Sequence, residues 1–264
     1  MNDLFLLVFN AILVVIGLAC LSLAVRVGSQ GTWQDGLVTY AVTFPPSLSA
    51  EQVALFLSGC RGLVAPWWLR PFVIRGLGLE VVATGDGIAH YLHVPEAQAP
   101  VVLSALRAAI PAARTARLNL SLPRPRLAVQ LAHSGSHHVL ADGAAVHVSS
   151  ALLSTLQPLR SGEIVRLQWL LSPVGPVSLP SVAPPRRANG RGGLATVLEW
   201  LLSGVSMDAT RLAEWKRKHA RPVFVATGRI GVTAAERGRA RLLRGQVLAA
   251  LHTANVPGGH LRRS

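Results

Sequence analysis

Leu37 to Leu63 reads LVTYAVTFPPSLSAEQVALFLSGCRGL, and the fold is decided there. Leu37–Phe44 carries the β-branched and aromatic residues of a strand, and Pro45-Pro46 ends it. Ser49 followed by Gln52 is a capping box, in which each side chain caps the other's backbone N–H. Val53, Leu55, Phe56 and Cys60 then recur near helical spacing, which predicts a helix to about Leu63.

C-terminal to this unit the pattern continues. Phe72–Ala83 and Ile88–Val94 read as strands around the turn Thr84-Gly85-Asp86-Gly87, a hairpin. A helix follows Pro95, with Pro100 near its regular start and Val102, Leu103, Leu106, Ala109 and Ile110 on its apolar side. Ala113–Leu120 closes the set as a strand. The order β-α-β-β-α-β predicts a ferredoxin-like arrangement, two helices over one face of a four-stranded antiparallel sheet.

The order then recurs. Arg126–Ala132 is a strand, Ser149–Leu159 a helix, and Ile164–Leu171 a strand. From Ser172 to Gly193 five prolines and the run NGRGG predict a flexible linker, followed by short helices at Leu194–Leu202 and Asp208–His219. Pro222–Val232 is a strand, Thr233 to Glu236 a second capping box, Glu236–Thr253 a long helix, and His260–Arg263 a last strand. The expected fold is therefore α+β. Tandem ferredoxin-like modules occupy 37–121 and 122–264, the second interrupted by a linker and helical insertion at about 172–220.

N-terminal to Leu37 lies a different kind of sequence. Leu4–Val25, LFLLVFNAILVVIGLACLSLAV, carries no charge. As a helix it reaches about 33 Å, enough for the ~30 Å hydrocarbon layer. Met1, Asn2 and Asp3 do not make the basic n-region of a cleaved signal. The reading is a transmembrane anchor over 1–26 and a juxtamembrane connector over 27–36. Arg26 follows the span and no Lys or Arg precedes it, so the expected orientation is single-pass, N-terminus outside and the remainder cytoplasmic. Two cysteines, Cys20 and Cys60, form no disulfide framework, in keeping with a reducing compartment.

The formal net charge is +14 and it is uneven. Up to Leu120 there are seven arginines and six acids; from Ser121 there are nineteen Lys plus Arg and six acids. A basic second half suits nucleic acid or an anionic membrane face. The contact candidates are Arg186, Arg187 and Arg191 in the linker, Lys216, Arg217 and Lys218 at a helix end, and Arg237, Arg241 and Arg244 on the long helix. The last three follow i, i+4, i+7 spacing and share a face. A solvated helix face is the competing reading of the same residues. No aromatic platform accompanies them.

Sites of chemistry are sparse. His133, His137 and His138 are the metal-ligand candidates, set against a polar loop as the plainer reading. His90 and His93 are an odd number apart and face opposite sides of one strand. No G-x-S-x-G elbow and no GxxxxGK[ST] loop occurs, so ATP hydrolysis, a catalytic constellation and a cofactor are not expected.

HYLHVPEAQAPVVLSALRAAIPAARTARL (His90–Leu118) and RPVFVATGRIGVTAAERGRARLLRGQVLAALHTANVPGGHLRR (Arg221–Arg263) each place a strand, a helix and a proline-led turn in order. This resembles the membrane-anchored region preceding the motor of actinobacterial-type conjugative DNA transfer and type IV secretion coupling ATPases. The resemblance implies an anchor, α/β modules and then a DNA-translocating motor, which this chain lacks. The expected function is a membrane-anchored, non-catalytic accessory or N-terminal region that docks a motor or other subunits. Its partners would be the membrane, a translocation ATPase, and DNA or anionic lipid. The alternatives are a membrane-tethered structural protein with a basic lipid-binding face and, behind it, a metal-dependent enzyme.

Overall fold

The computed structural model describes residues 36–64, 76–119, 123–134, 145–157, 159–174, 223–256 and 259–263, with the single positions 17, 20, 213 and 216. Its elements are β1 (Leu37–Thr43), α1 (Ala50–Gly59) continued by a 3-10 turn (Cys60–Leu63), β2 (Leu77–Thr84), β3 (Gly87–Pro95), α2 (Ala99–Ala109) and β4 (Arg114–Leu118). They are followed by β5 (Leu127–Ser134), α3 (Ala145–Leu156), β6 (Ile164–Pro173), β7 (Phe224–Thr233), α4 (Arg237–His252) and β8 (His260–Arg263).

All eight strands belong to one antiparallel sheet, in the order β4-β1-β3-β2-β6-β7-β5-β8. The expectation of tandem ferredoxin-like modules, each with its own sheet, is corrected here. The halves do not stand as units with sheets of their own. β2 and β6 pair antiparallel from Leu77↔Leu171 to Ala83↔Val165 and fuse them into one. The edge of a four-stranded sheet offers unpaired N–H and C=O groups, and this seam satisfies two such edges at once. The stretch Leu4–Val25 lies outside the described residues apart from Gly17 and Cys20. Among the described residues no helix is long and apolar enough to cross a membrane. Most of the expected insertion at 172–220 is likewise outside them.

Side-chain alternation puts the helices of both halves on the same side of the sheet. Leu77 of β2 and Leu92 and Val94 of β3 pack under α1 and α2 with Phe56, Val102, Leu106 and Ile110. Val165 and Leu167 of β6 pack under α3 and α4 with Leu156, Leu243, Val247 and Leu251. The two cores trade residues at the seam. Ala83 of β2 belongs to the second core, and Leu171 of β6 packs against the first. Separating the halves would therefore expose apolar surface from both, at about 25 cal/mol per Å².

Local signals explain most of the elements. Ser49 accepts from the Gln52 N–H at 3.2 Å and Gln52 Oε1 accepts from the Ser49 N–H at 3.0 Å, the expected capping box of α1. At Gly59 an added Cβ would lie 2.8 Å from Ala105 Cβ, so the missing side chain sets how closely α1 approaches α2. The second expected box does not form. Thr233 stays in β7, paired with Ile164, and α4 begins at Arg237 behind Glu236, whose side chain makes no capping bond.

Candidate functional site

The alternation that points Leu77, Leu79, Val81 and Ala83 at the helices points Gly78, Glu80 and Val82 at the opposite face, which no helix among the described residues covers. Glu80 is the unusual one: a carboxylate on a central strand, 2 % exposed. Its directly paired neighbours are Tyr91 on β3 and Gln168 on β6. Its hydrogen bonds go instead to residues two positions away along those strands. Glu80 Oε2 lies 2.6 Å from His93 Nε2, and Glu80 Oε1 accepts from Arg166 Nε at 2.6 Å.

His93 extends the line. Its Nδ1 sits 2.9 Å from Thr39 Oγ1 on β1, directly across the strand pair. The imidazole lies over Gly78, where an added Cβ would come within 3.2 Å of His93 Cβ. The result is a hydroxyl, an imidazole, a carboxylate and a guanidinium bonded in sequence across β1, β3, β2 and β6. Three members come from the first half and Arg166 from the second.

The electrostatics are set by enclosure. Burial pushes the Glu80 carboxyl up, but hydrogen bonds from His93 and Arg166, and the Arg166 charge, outweigh it and hold the carboxyl below its ordinary value. Glu80 is therefore ionised, and Arg166 supplies the compensating charge. Either protonation state of His93 satisfies the line. A neutral ring donates from Nε2 to Glu80 and accepts at Nδ1 from Thr39; a charged one donates at both ends.

The connector between β4 and β5 also passes over this face. Pro125 would be 3.0 Å from a Cβ at Gly231 on β7, and Arg166 Nη1 points at the Pro123 carbonyl at 3.5 Å. Arg126 then donates to the Ala234 and Ala235 carbonyls at 3.3 and 3.0 Å. The arrangement can fix two halves in register and present polar groups beside the connector.

His90 and His93 do face opposite sides. His90 lies on the helix side, its ring edge-on to Phe44 with centroids 5.4 Å apart, and burial pushes its pKa down. His133 is on β5 opposite Leu261, while His137 and His138 lie outside the described residues. Among the described residues no group of three His, Cys, Asp or Glu could hold a metal. Of the basic candidates, Arg186, Arg187, Arg191, Arg217 and Lys218 are outside the described residues. Lys216 is exposed. Arg237 and Arg241 are exposed on α4, and Arg244 is half-buried with its Nε enclosed and unbonded. The structure thus brings Arg237 and Arg241 to the surface and turns Arg244 partly inward.

The line through Thr39, His93, Glu80 and Arg166 was not anticipated from the sequence. Its one local signal is an acid inside the apolar run LGLEVVA and an arginine inside IVRLQWLL. Searches against protein-family models, curated proteins and solved structures find no match to this chain.

Proposed function

We propose that this chain is a non-catalytic docking component of a conjugative DNA-transfer or type IV secretion machine. It would be placed at the cell membrane to receive a translocation ATPase or other subunits. The observation that supports the reading is the one-sided sheet. Eight strands form a continuous surface, the helices among the described residues cover one side, and the seam is locked by Glu80 and Arg166. A continuous sheet with one side that no described helix covers is a platform that a second protein can sit against. The basic second half would then face the transported DNA, through Arg237 and Arg241 among the described residues. The uncharged stretch Leu4–Val25 is the reason for placing the platform at a membrane.

Deleting the gene in its native cell tests this. Transfer of a conjugative element should fall sharply and return when the full chain is supplied again. Photo-crosslinkers at Thr227 or Arg229, on the face opposite the described helices, should trap a nucleotide-hydrolysing subunit. Unchanged transfer frequency would rule the machine out, and crosslinks only from helix-side positions would move the docking surface elsewhere.

A further inference from the structure

Next to the start of α4 lies a cavity of about 240 Å³, lined by Arg126, Arg160, Ser161, Glu163, Thr233, Glu236 and Arg239 among others. Three arginines come to it from three separate places: the connector before β5, the turn between α3 and β6, and α4 itself. Glu163 is 5 % exposed and fully engaged. Its two oxygens accept from Arg239 Nε at 2.8 Å and Arg239 Nη2 at 3.0 Å, and from the Arg160 N–H at 3.0 Å. Those bonds from Arg239 hold the Glu163 carboxyl below its ordinary value against burial. Its charge is thus neutralised within the wall. Glu236 is exposed at the rim and its side chain makes no capping bond.

That leaves Arg160, exposed, in a lining that also holds Ser161, Thr233 and Arg126, whose Nη1 is bonded to the Ala234 and Ala235 carbonyls and whose other donors remain for a ligand. Guanidinium forks joined by hydroxyl donors match the oxygens of a tetrahedral phosphoryl group, which takes bidentate, charge-assisted bonds. The space exceeds what a bare halide needs and admits a phosphoryl group together with the atoms it is attached to. We propose that this cavity is a phosphoryl-binding site, with Arg160 and Arg126 contacting the anion and Glu163 orienting Arg239 behind them. The inference goes beyond the docking role and does not depend on it.

The test uses the full chain in detergent and inorganic phosphate as the probe, titrated by calorimetry against chloride at matched ionic strength. Saturable binding is expected, with affinity about tenfold weaker in Arg160→Gln and in Arg126→Gln, the loss of one charge-assisted contact. Arg237→Gln, which removes an equal charge outside the lining, should leave it unchanged. No saturable binding, or equal loss in all three variants, overturns the site. Arg160 is exposed, so its variant tests the proposal even if Arg126→Gln folds poorly. Competition then identifies the source. Displacement of phosphate by a short oligonucleotide assigns the site to a nucleic-acid backbone, displacement by phosphatidic acid vesicles assigns it to a lipid headgroup, and displacement by neither assigns it to a free small phosphate.

Discussion

Glu80 of β2 and Arg166 of β6 meet at 2.6 Å across the one strand pair that joins the two halves of the sheet. The carboxylate side chain is 1 % exposed and the arginine 23 %. Removing one partner leaves the other enclosed and uncompensated. Arg166→Met should therefore destabilise the fold by about 2–3 kcal/mol, below the usual range for a fully buried pair because the arginine is partly solvated. Glu80→Gln keeps the shape and should cost about 1–3 kcal/mol. A double-mutant cycle read by urea denaturation should return a favourable coupling; additive effects would show that the pair contributes nothing as a pair.

Acid should weaken the fold in two steps. Burial holds the His90 imidazole below its ordinary value, so the folded chain takes up that proton later than the unfolded one. The associated stability is present above about pH 6.5 and is lost as pH falls toward the folded value. His90→Phe, which keeps the edge-on contact position against Phe44, should flatten the fall of the melting temperature in that window. The second step belongs to Glu80 and Glu163, whose carboxyls are both held low. Their contribution is complete above about pH 4.3 and is lost as pH drops through the folded values. A melting temperature independent of pH between 7 and about 5 would contradict the His90 assignment.

Gly59→Ala should cost about 1–3 kcal/mol, because its Cβ would press on Ala105 where α1 meets α2. Gly228→Ala meets the Trp169 ring at 2.8 Å and should shift tryptophan fluorescence as well as the melting temperature. A neutral result at both would mean that the helices and the ring give way readily.

Cys60 is fully buried, and enclosure pushes its thiol up to about 12. In a Cys20→Ser background the remaining thiol should react with a disulfide reagent at pH 8 only as fast as the protein opens. Labelling at the rate of a free thiol peptide would place Cys60 at the surface.

Arg237 and Arg241 are exposed on α4, so changing both to Gln should move stability by no more than about 0.5 kcal/mol. If DNA lies along this helix, the double variant should bind duplex DNA more weakly. Its log affinity should also fall less steeply with log salt, by roughly one unit of slope per lost phosphate contact. An unchanged slope would free α4 from any such role.

Some of this fold is written locally and some is not. Ser49 and Gln52 announce the start of α1 because both groups of the cap lie three residues apart and find each other without outside help. Thr233 and Glu236 have the same spacing and do not cap. Thr233 is held in β7 by its pairing with Ile164, and tertiary pairing overrides the local preference. Most described strands and helices could be placed from alternation and helical spacing, although α3 runs from Ala145 to Leu156 rather than from Ser149 to Leu159. The seam could not. Leu77 and Leu171 are far apart in the chain, and no periodicity in either strand names the other as its neighbour. Glu80 and Arg166 are visible in the sequence as interruptions of apolar runs, but their relation follows from the register of β2 against β6, which only the assembled sheet supplies.

The seam has a consequence for how the chain is made. Synthesis runs from the first half to the second, so β1 to β4 leave the ribosome before β6 exists. Through that interval β2 is a bare edge, with unpaired backbone groups and the apolar face Leu77, Leu79, Val81 and Ala83 lacking its neighbour. The half-made protein therefore carries a temporary adhesive strip, open to a second nascent chain or a chaperone. It closes only when Ile164–Pro173 has emerged.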